Sequence, residues 1–269
     1  MAFPIPQIGY GTWNRDGDQG FRGVMDALEV GYRHIDTAEG YGNEDYVGRA
    51  IAASGVARSD IFLTTKVAPE HLGPNQVLPH AKASLERLGV DQVDLLLIHW
   101  PSIKDQFDIH DYMQQLAEVQ DAGLTRHIGV SNFTRKHLDA ALGVLGTRPL
   151  LTNQVEIHVL MQNRIIVDHT LAKGISTTAY SPLARGAVSE IPTLKTIGAK
   201  HGASAEQVAL AFLLAEGHII IPSSGTQSRI QSNFDAGKVM LSAEDVATIR
   251  KLDENRRLVD GAWCPVWDS

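Results

Sequence analysis

Residues 93–99 read Val-Asp-Leu-Leu-Leu-Ile-His, an apolar run that ends on an imidazole. Two earlier runs also end on a polar group: His-Ile-Asp at 34–36 and Ile-Phe-Leu-Thr-Thr-Lys at 61–66. Runs too apolar to alternate suit parallel strands covered on both faces. A buried-looking strand that ends in a charged residue is costly unless such groups meet one another. If these strands are parallel neighbours in a barrel, Asp36, Tyr41, Lys66 and His99 converge at one mouth of it. A phenol beside an ammonium, a carboxylate and an imidazole is suited to delivering a proton.

Outward from these runs, strand-like and helix-like patterns alternate. The predicted strands are Ile8–Gly11, His34–Asp36, Ile61–Lys66, Val93–His99, His127–Ser131, Leu151–Ile157, Ser176–Tyr180 and His218–Pro222. Helical periodicity follows them over Gln19–Val30, Glu44–Ala53, Asn75–Leu88, Asp111–Ala122, Lys136–Leu145, Arg164–Lys173 and Ala205–Ala215. Five of these helices end directly at a glycine, as rapid helix-to-strand turns require. Ile191–Lys200 and Ala243–Asp253 fall outside the simple count. The pattern predicts an α/β fold: one (β/α)8 TIM barrel spanning 1–269, with two extra helices and a C-terminal loop over the barrel mouth. The 269 residues agree with the roughly 250 that such a barrel takes. An open doubly wound sheet would want a G-x-G-x-x-G turn after its first strand, and GYGTWNRDGDQG at 9–20 lacks that spacing.

Composition narrows the function. A net charge of -7 argues against a nucleic acid or an anionic membrane as partner. The single Cys264 rules out an intramolecular disulfide framework and a thiolate-rich zinc site, and fits a reducing compartment. The start MAFPIPQIGYG has no signal-peptide pattern, and no apolar run approaches the ~18 residues of a membrane span. The expectation is a cytoplasmic protein that acts on a small molecule.

HIDTAEGYGNE at 34–44 resembles the signature of the aldo-keto reductases, NAD(P)H-dependent carbonyl reductases built on a TIM barrel. TTKV at 64–67, LIHWP at 97–101, GVSNF at 129–133, NQVEIH at 153–158, AYSPL at 179–183 and IPSSGTQSRIQSN at 221–233 match further blocks in family order. The short length and the closing CPVWD at 264–268 look closest to bacterial 2,5-diketo-D-gluconate reductases of the B type.

The resemblance implies roles for individual residues. Tyr41 would give a proton to the substrate carbonyl, with Lys66 lowering its pKa, Asp36 holding Lys66, and His99 donating a hydrogen bond to the carbonyl oxygen. Ser131, Asn132 and Gln154 would bind the nicotinamide carboxamide, and Tyr180 would stack beneath the ring. Ser181 and Leu183 match the pyrophosphate loop. Ser224, Thr226 and Arg229 match the 2′-phosphate pocket, and Asn233 an adenine contact; Thr12, Ser223 and Gly225 complete the cofactor set. Trp13, Trp100, Trp263 and Trp267 match the substrate-pocket walls. The implied cofactor is NADPH, with NADH as a second candidate, and the implied state is a monomer.

Two departures from the family stand out. Ser223 replaces a common lysine, which removes a positive charge from the phosphate pocket, and Ser232 replaces an acidic residue near adenine. Only seven residues precede the first strand, so the β-hairpin that plugs the barrel bottom in relatives is expected to be shortened. The rival readings are a metal-dependent TIM-barrel hydrolase using Glu156 and His158, and a barrel that binds NADPH without turnover. The first is disfavoured because strand one ends in Gly-Thr-Trp and offers no imidazole ligand. No metal site is expected, and His158 reads as a pocket-edge residue.

Overall fold

The computed structural model describes residues 5–268. Among these residues eight strands lie in sequence order, each hydrogen-bonded in parallel to the next. They are β1 (Tyr10–Gly11), β2 (His34–Asp36), β3 (Phe62–Val67), β4 (Val93–Ile98), β5 (Thr125–Ser131), β6 (Thr152–Glu156), β7 (Ser176–Tyr180) and β8 (Ile219–Ile220). A parallel bridge between Ile8 and Ile220 closes the ring, with Gly9 donating to the Ile220 carbonyl at 2.8 Å and Ile220 to the Gln7 carbonyl at 2.8 Å. The expected ladders Ile8–Gly11 and His218–Pro222 shorten to two residues each at this seam, where closure rests on a few bonds.

The helices are α1 (Gly17–Val30), α2 (Glu44–Ala53), α3 (Val77–Leu88), α4 (Ile109–Asp121), α5 (Arg135–Leu145), α6 (Arg164–Ala172), α7 (Pro192–His201), α8 (Ala205–Ala215), α9 (Gln227–Asp235) and α10 (Ala243–Arg250). The two stretches outside the simple count are α7 and α10, and α9 is the helix that follows β8. Gly31 (φ 118°) and Gly89 (φ 65°) cap α1 and α3 in the left-handed region, which an L side chain rarely adopts.

The run VDLLLI fails to alternate because both faces of β4 are covered. Leu95 and Leu97 pack inside the barrel with Ile5 and Ile219. Leu96 and Ile98 pack outward, in the layer shared with Val24, Val47, Leu88 and Leu116 of the surrounding helices. Asp94, the one charge in the run, is neutralised by Arg58 at 2.8 Å and Arg126 at 3.0 Å, and accepts a bond from the Leu63 amide. Residues 1–4, where most of the expected short hairpin falls, lie outside the described residues.

Two buried histidines tie stability to pH. His34 lies against Thr64, and His218 hydrogen-bonds Thr177 at 2.7 Å. Desolvation lowers each from 6.5 to about 4. The unfolded chain therefore binds more protons between those values, so this stability is complete above pH ~6.5 and is lost as pH falls toward about 4. We expect the unfolding free energy from urea titrations to drop steadily over that window, by up to ~3 kcal/mol per histidine. His218→Gln should flatten the slope; a pH-independent midpoint would refute the assignment.

Candidate active site

Parallel strands deliver all their C-terminal ends to one rim, and the polar groups there are set by register. Asp36 ends β2 and pairs in register with Thr64, two residues before Lys66 on β3. His99 follows β4, its amide bonded to the Val67 carbonyl at 3.0 Å. Tyr41 sits on the 3-10 turn Glu39–Tyr41 that leads into α2.

Lys66 is the organising residue. Its side chain is fully buried, and its Nζ donates to Asp36 Oδ1 at 2.5 Å, to the Thr37 carbonyl at 2.7 Å and to Tyr41 Oη at 3.3 Å. An ammonium has three protons, and each has a partner. Asp36 Oδ2 accepts from Gln154 Nε2 at 2.7 Å, which links β2 to β6 across the barrel mouth.

Beyond Gln154 runs a row of paired amides and hydroxyls. Ser131 Oγ donates to the Gln154 carbonyl at 2.8 Å. Asn132 Nδ2 donates to Ser131 Oγ at 3.0 Å and to the His99 carbonyl at 3.1 Å, and Asn132 Oδ1 accepts from Tyr180 Oη at 2.9 Å. Asn132 holds φ at 62°, a left-handed geometry that asparagine tolerates better than most residues.

These groups face a cavity of about 1040 Å³, large enough for a dinucleotide and a small substrate together. Its lining includes Tyr41, His99, Trp13, Trp100 and Trp263, and also Ser181, Leu183, Ser223, Ser224, Gly225, Arg229, Ser232 and Asn233. Just after Gly225, α9 begins with no side-chain cap on Thr226, which leaves first-turn amides for an anion. With Arg229 and Ser224 beside them, these donors fit a phosphate-bearing cofactor.

The surroundings set the protonation states. The packed protein around the Tyr41 phenol pushes its pKa above the ordinary value, and the pull of Lys66 in the other direction does not overcome this. The expected lowering of the phenol pKa is therefore corrected: the side chain stays protonated, a donor rather than a phenolate. Desolvation works against the Lys66 ammonium, yet Asp36 and Tyr41 outweigh it and hold its pKa up. Desolvation, aided by Lys66, drives His99 well below its usual value, so its imidazole is neutral. The ring meets Tyr41 edge-on, with centroids 5.5 Å apart.

Several expected site residues lie elsewhere. Thr12 is buried beneath the rim, and its carbonyl accepts from Asn43 at 2.8 Å. Lys66 is where its role requires, against Asp36 and Tyr41, but stands behind Tyr41 rather than lining the cavity; Thr226 does not line the cavity. Trp267 also falls outside the lining. It packs edge-on to Trp100 and under the Arg257 guanidinium at 3.7 Å, because the tail folds back on itself there. His158 is not at the pocket edge. It is fully buried, 2.9 Å from Glu156, which also accepts from the amides of Leu258 and Val259 at 2.7 and 2.9 Å. This pair anchors the C-terminal tail.

The sequence reading missed two arginines on the cavity wall. Arg15, in the loop after β1, donates to Ser223 Oγ at 3.1 Å, and so returns a positive charge to the position where the lysine is lost. Arg185, in the loop after β7, lies over Trp13 at 5.8 Å. Placement after a strand end was a signal for Arg15, but its reach across to Ser223 was not readable locally.

Comparison with known proteins agrees with this geometry. The sequence model of the Aldo/keto reductase family matches residues 7–254. The chain is 43% identical over 265 residues to methylglyoxal reductase DkgB of Escherichia coli O157:H7, covering 98% of this chain and 99% of that protein. A crystal structure provisionally described as a 2,5-diketo-D-gluconic acid reductase B superposes with TM-score 0.94 at 36% identity, over 98% of this chain and 94% of that one. The Bombyx mori aldo-keto reductase solved in complex with NADP superposes with TM-score 0.89 at 35% identity, over 95% and 92% of the two chains.

Removing one partner of a buried ion pair strands the other charge. Asp36→Asn should therefore destabilise the fold by about 3–5 kcal/mol in urea titrations. An unchanged midpoint would mean that Lys66 does not depend on Asp36.

Proposed function

This chain belongs to the aldo/keto reductase family, and from that premise we propose that it reduces small aldehydes, α-dicarbonyls or keto-sugars to alcohols with NADPH. The observation that carries the proposal is the contact of Lys66 Nζ, behind the cavity wall, with both Asp36 and Tyr41 Oη, which line it. When bound, NADPH supplies a hydride to the carbonyl carbon. The protein residues provide the rest. Tyr41, protonated at neutral pH, gives its proton to the carbonyl oxygen as charge develops there. The phenolate left behind is held by the Lys66 ammonium, whose own charge is fixed by Asp36. His99, neutral, donates a hydrogen bond to the same oxygen and orients it, but carries no excess proton to transfer.

For cofactor binding, Ser131, Asn132 and Gln154 would take the carboxamide, Tyr180 the nicotinamide face, and Ser181 with Leu183 the pyrophosphate. Arg229, Ser224, Ser223 and Gly225 with the start of α9 would take the 2′-phosphate, and Asn233 the adenine. NADH remains the weaker candidate, because Arg229 offers a planar fork suited to phosphate. The names of the relatives, methylglyoxal reductase and 2,5-diketo-D-gluconic acid reductase, favour small polar carbonyls as substrates. Trp13, Trp100 and Trp263 would wall the substrate side. A monomer working in the cytoplasm completes the reading, in keeping with one free cysteine and with no helix among the described residues long and apolar enough to cross a membrane.

Steady oxidation of NADPH with methylglyoxal or 2,5-diketo-D-gluconate tests the proposal; its absence with every reactive carbonyl would leave a barrel that binds NADPH without turnover. Tyr41→Phe should abolish turnover while NADPH binding, read by fluorescence titration, stays within about twofold. Since burial raises the pKa of the Tyr41 phenol, the acid stays protonated as pH rises, and kcat for reduction should stay level from about pH 6 to about pH 9. A fall centred below that upper limit would point to another proton donor. Arg229→Ala should raise KM for NADPH about tenfold or more and leave KM for NADH nearly unchanged. Equal effects would remove Arg229 from the 2′-phosphate.

A further inference from the structure

Outside the cavity, three side chains converge that the proposed reaction does not use. Glu39 opens the turn that carries Tyr41, His71 ends the 3-10 turn Pro69–His71 after β3, and His80 lies on α3. The two imidazoles are stacked, with centroids 3.6 Å apart and planes 16° from parallel. Each presents Nδ1 to one oxygen of the same carboxylate: His71 to Oε2 at 3.1 Å, His80 to Oε1. All three ligand atoms lie within 4.8 Å of one another. The Ala68 amide also donates to Glu39 Oε2 at 3.1 Å, which fixes the carboxylate.

We propose that Glu39, His71 and His80 form a binding site for a divalent transition-metal ion of the zinc class, through the two Nδ1 atoms and the Glu39 carboxylate. Two nitrogens and one oxygen with an open fourth position are the donor set of a tetrahedral zinc site. Metal–ligand bonds of about 2.0–2.2 Å place tetrahedral ligands roughly 3.3 Å apart, near the Glu39–His71 separation of 3.1 Å; the Glu39–His80 contact is closer, so His80 must withdraw and the stacked rings must turn for both Nδ1 lone pairs to meet one ion. The imidazoles disfavour magnesium and calcium, which take oxygen ligands. Charge points the same way. Protonating both rings would set two cations face to face at 3.6 Å, whereas one ion brings the same two charges to a point between the donors. Binding moves each ring proton to Nε2, and the His71 and His80 side chains are 37% and 25% exposed, so water can solvate the new N–H.

The ion would act at a distance from the chemistry. Glu39 stands two residues before Tyr41, and Ala68, bonded to Glu39, two residues after Lys66. The site therefore bridges the turn bearing the phenol and the loop leaving the strand that bears the ammonium. Its place is structural or regulatory, and it revises the expectation that the chain binds no metal.

Titration of the purified protein with Zn2+ by calorimetry tests the site. One equivalent should bind saturably, and thermal unfolding should shift upward by a few degrees at excess ion. His71→Gln and His80→Gln should each weaken binding at least tenfold, while His110→Gln, at an exposed position, should leave it unchanged. Mg2+ should produce no such saturable binding. Co2+ added to the unsubstituted protein should give the strong visible absorption of a four-coordinate ion, a readout that needs no variant to fold. Absence of saturable Zn2+ binding, a weak six-coordinate Co2+ spectrum, or full affinity in both histidine variants would overturn the proposal.

Discussion

The buried ion pair between Lys66 and Asp36 is the constraint on which the barrel mouth depends. A lysine with no exposed surface keeps its charge only if its protons are all bonded and a carboxylate stands beside it, and both conditions hold here. Satisfying Lys66 fixes the orientation of Tyr41, because the third proton points at the phenol. Satisfying Asp36 recruits Gln154 from the far side of the ring. From Gln154 the chain of bonds passes through Ser131 and Asn132 to Tyr180. One costly charge thus organises groups on five strands or their loops into a single floor.

The same principle recurs at the cavity wall. Glu156 is buried and would be unstable alone, and its bonds to His158 and to the amides of Leu258 and Val259 both satisfy it and pin the tail. That anchor sets where Trp263 meets the cavity and turns Trp267 away from it. Near the phosphate end, Arg15 reaches over to Ser223. A charge absent from one strand end is there supplied from the loop of its neighbour across the seam.

Much of the fold was legible because local signals were consistent. Apolar runs that did not alternate marked strands covered on both faces, and glycines marked the ends of the helices between them. Element boundaries shifted by up to three residues, as hydrogen-bonded ends fray. The four polar groups Asp36, Tyr41, Lys66 and His99 were legible for a related reason: each stands at a strand end or, for Tyr41, in the turn that follows one, and parallel strands share a rim. The Tyr41 pKa was not legible. Its direction depends on the balance between desolvation and Lys66, and desolvation depends on the surrounding packing rather than on neighbours in the chain. The places of Trp267, Thr12 and His158 were likewise hidden, since each depends on a partner or a fold of the tail that periodicity does not record.

The sequence by itself determined the alternation of strand and helix, the eightfold count and the residue types at each strand end, because these follow from nearest-neighbour sterics and the period of burial. The tertiary structure alone decided which of those ends touch. Asp36 and Gln154 are 118 positions apart in the chain yet 2.7 Å apart in space. Closure of the ring, with its particular stagger between strands, brings them together, and no local pattern of residues encodes that stagger.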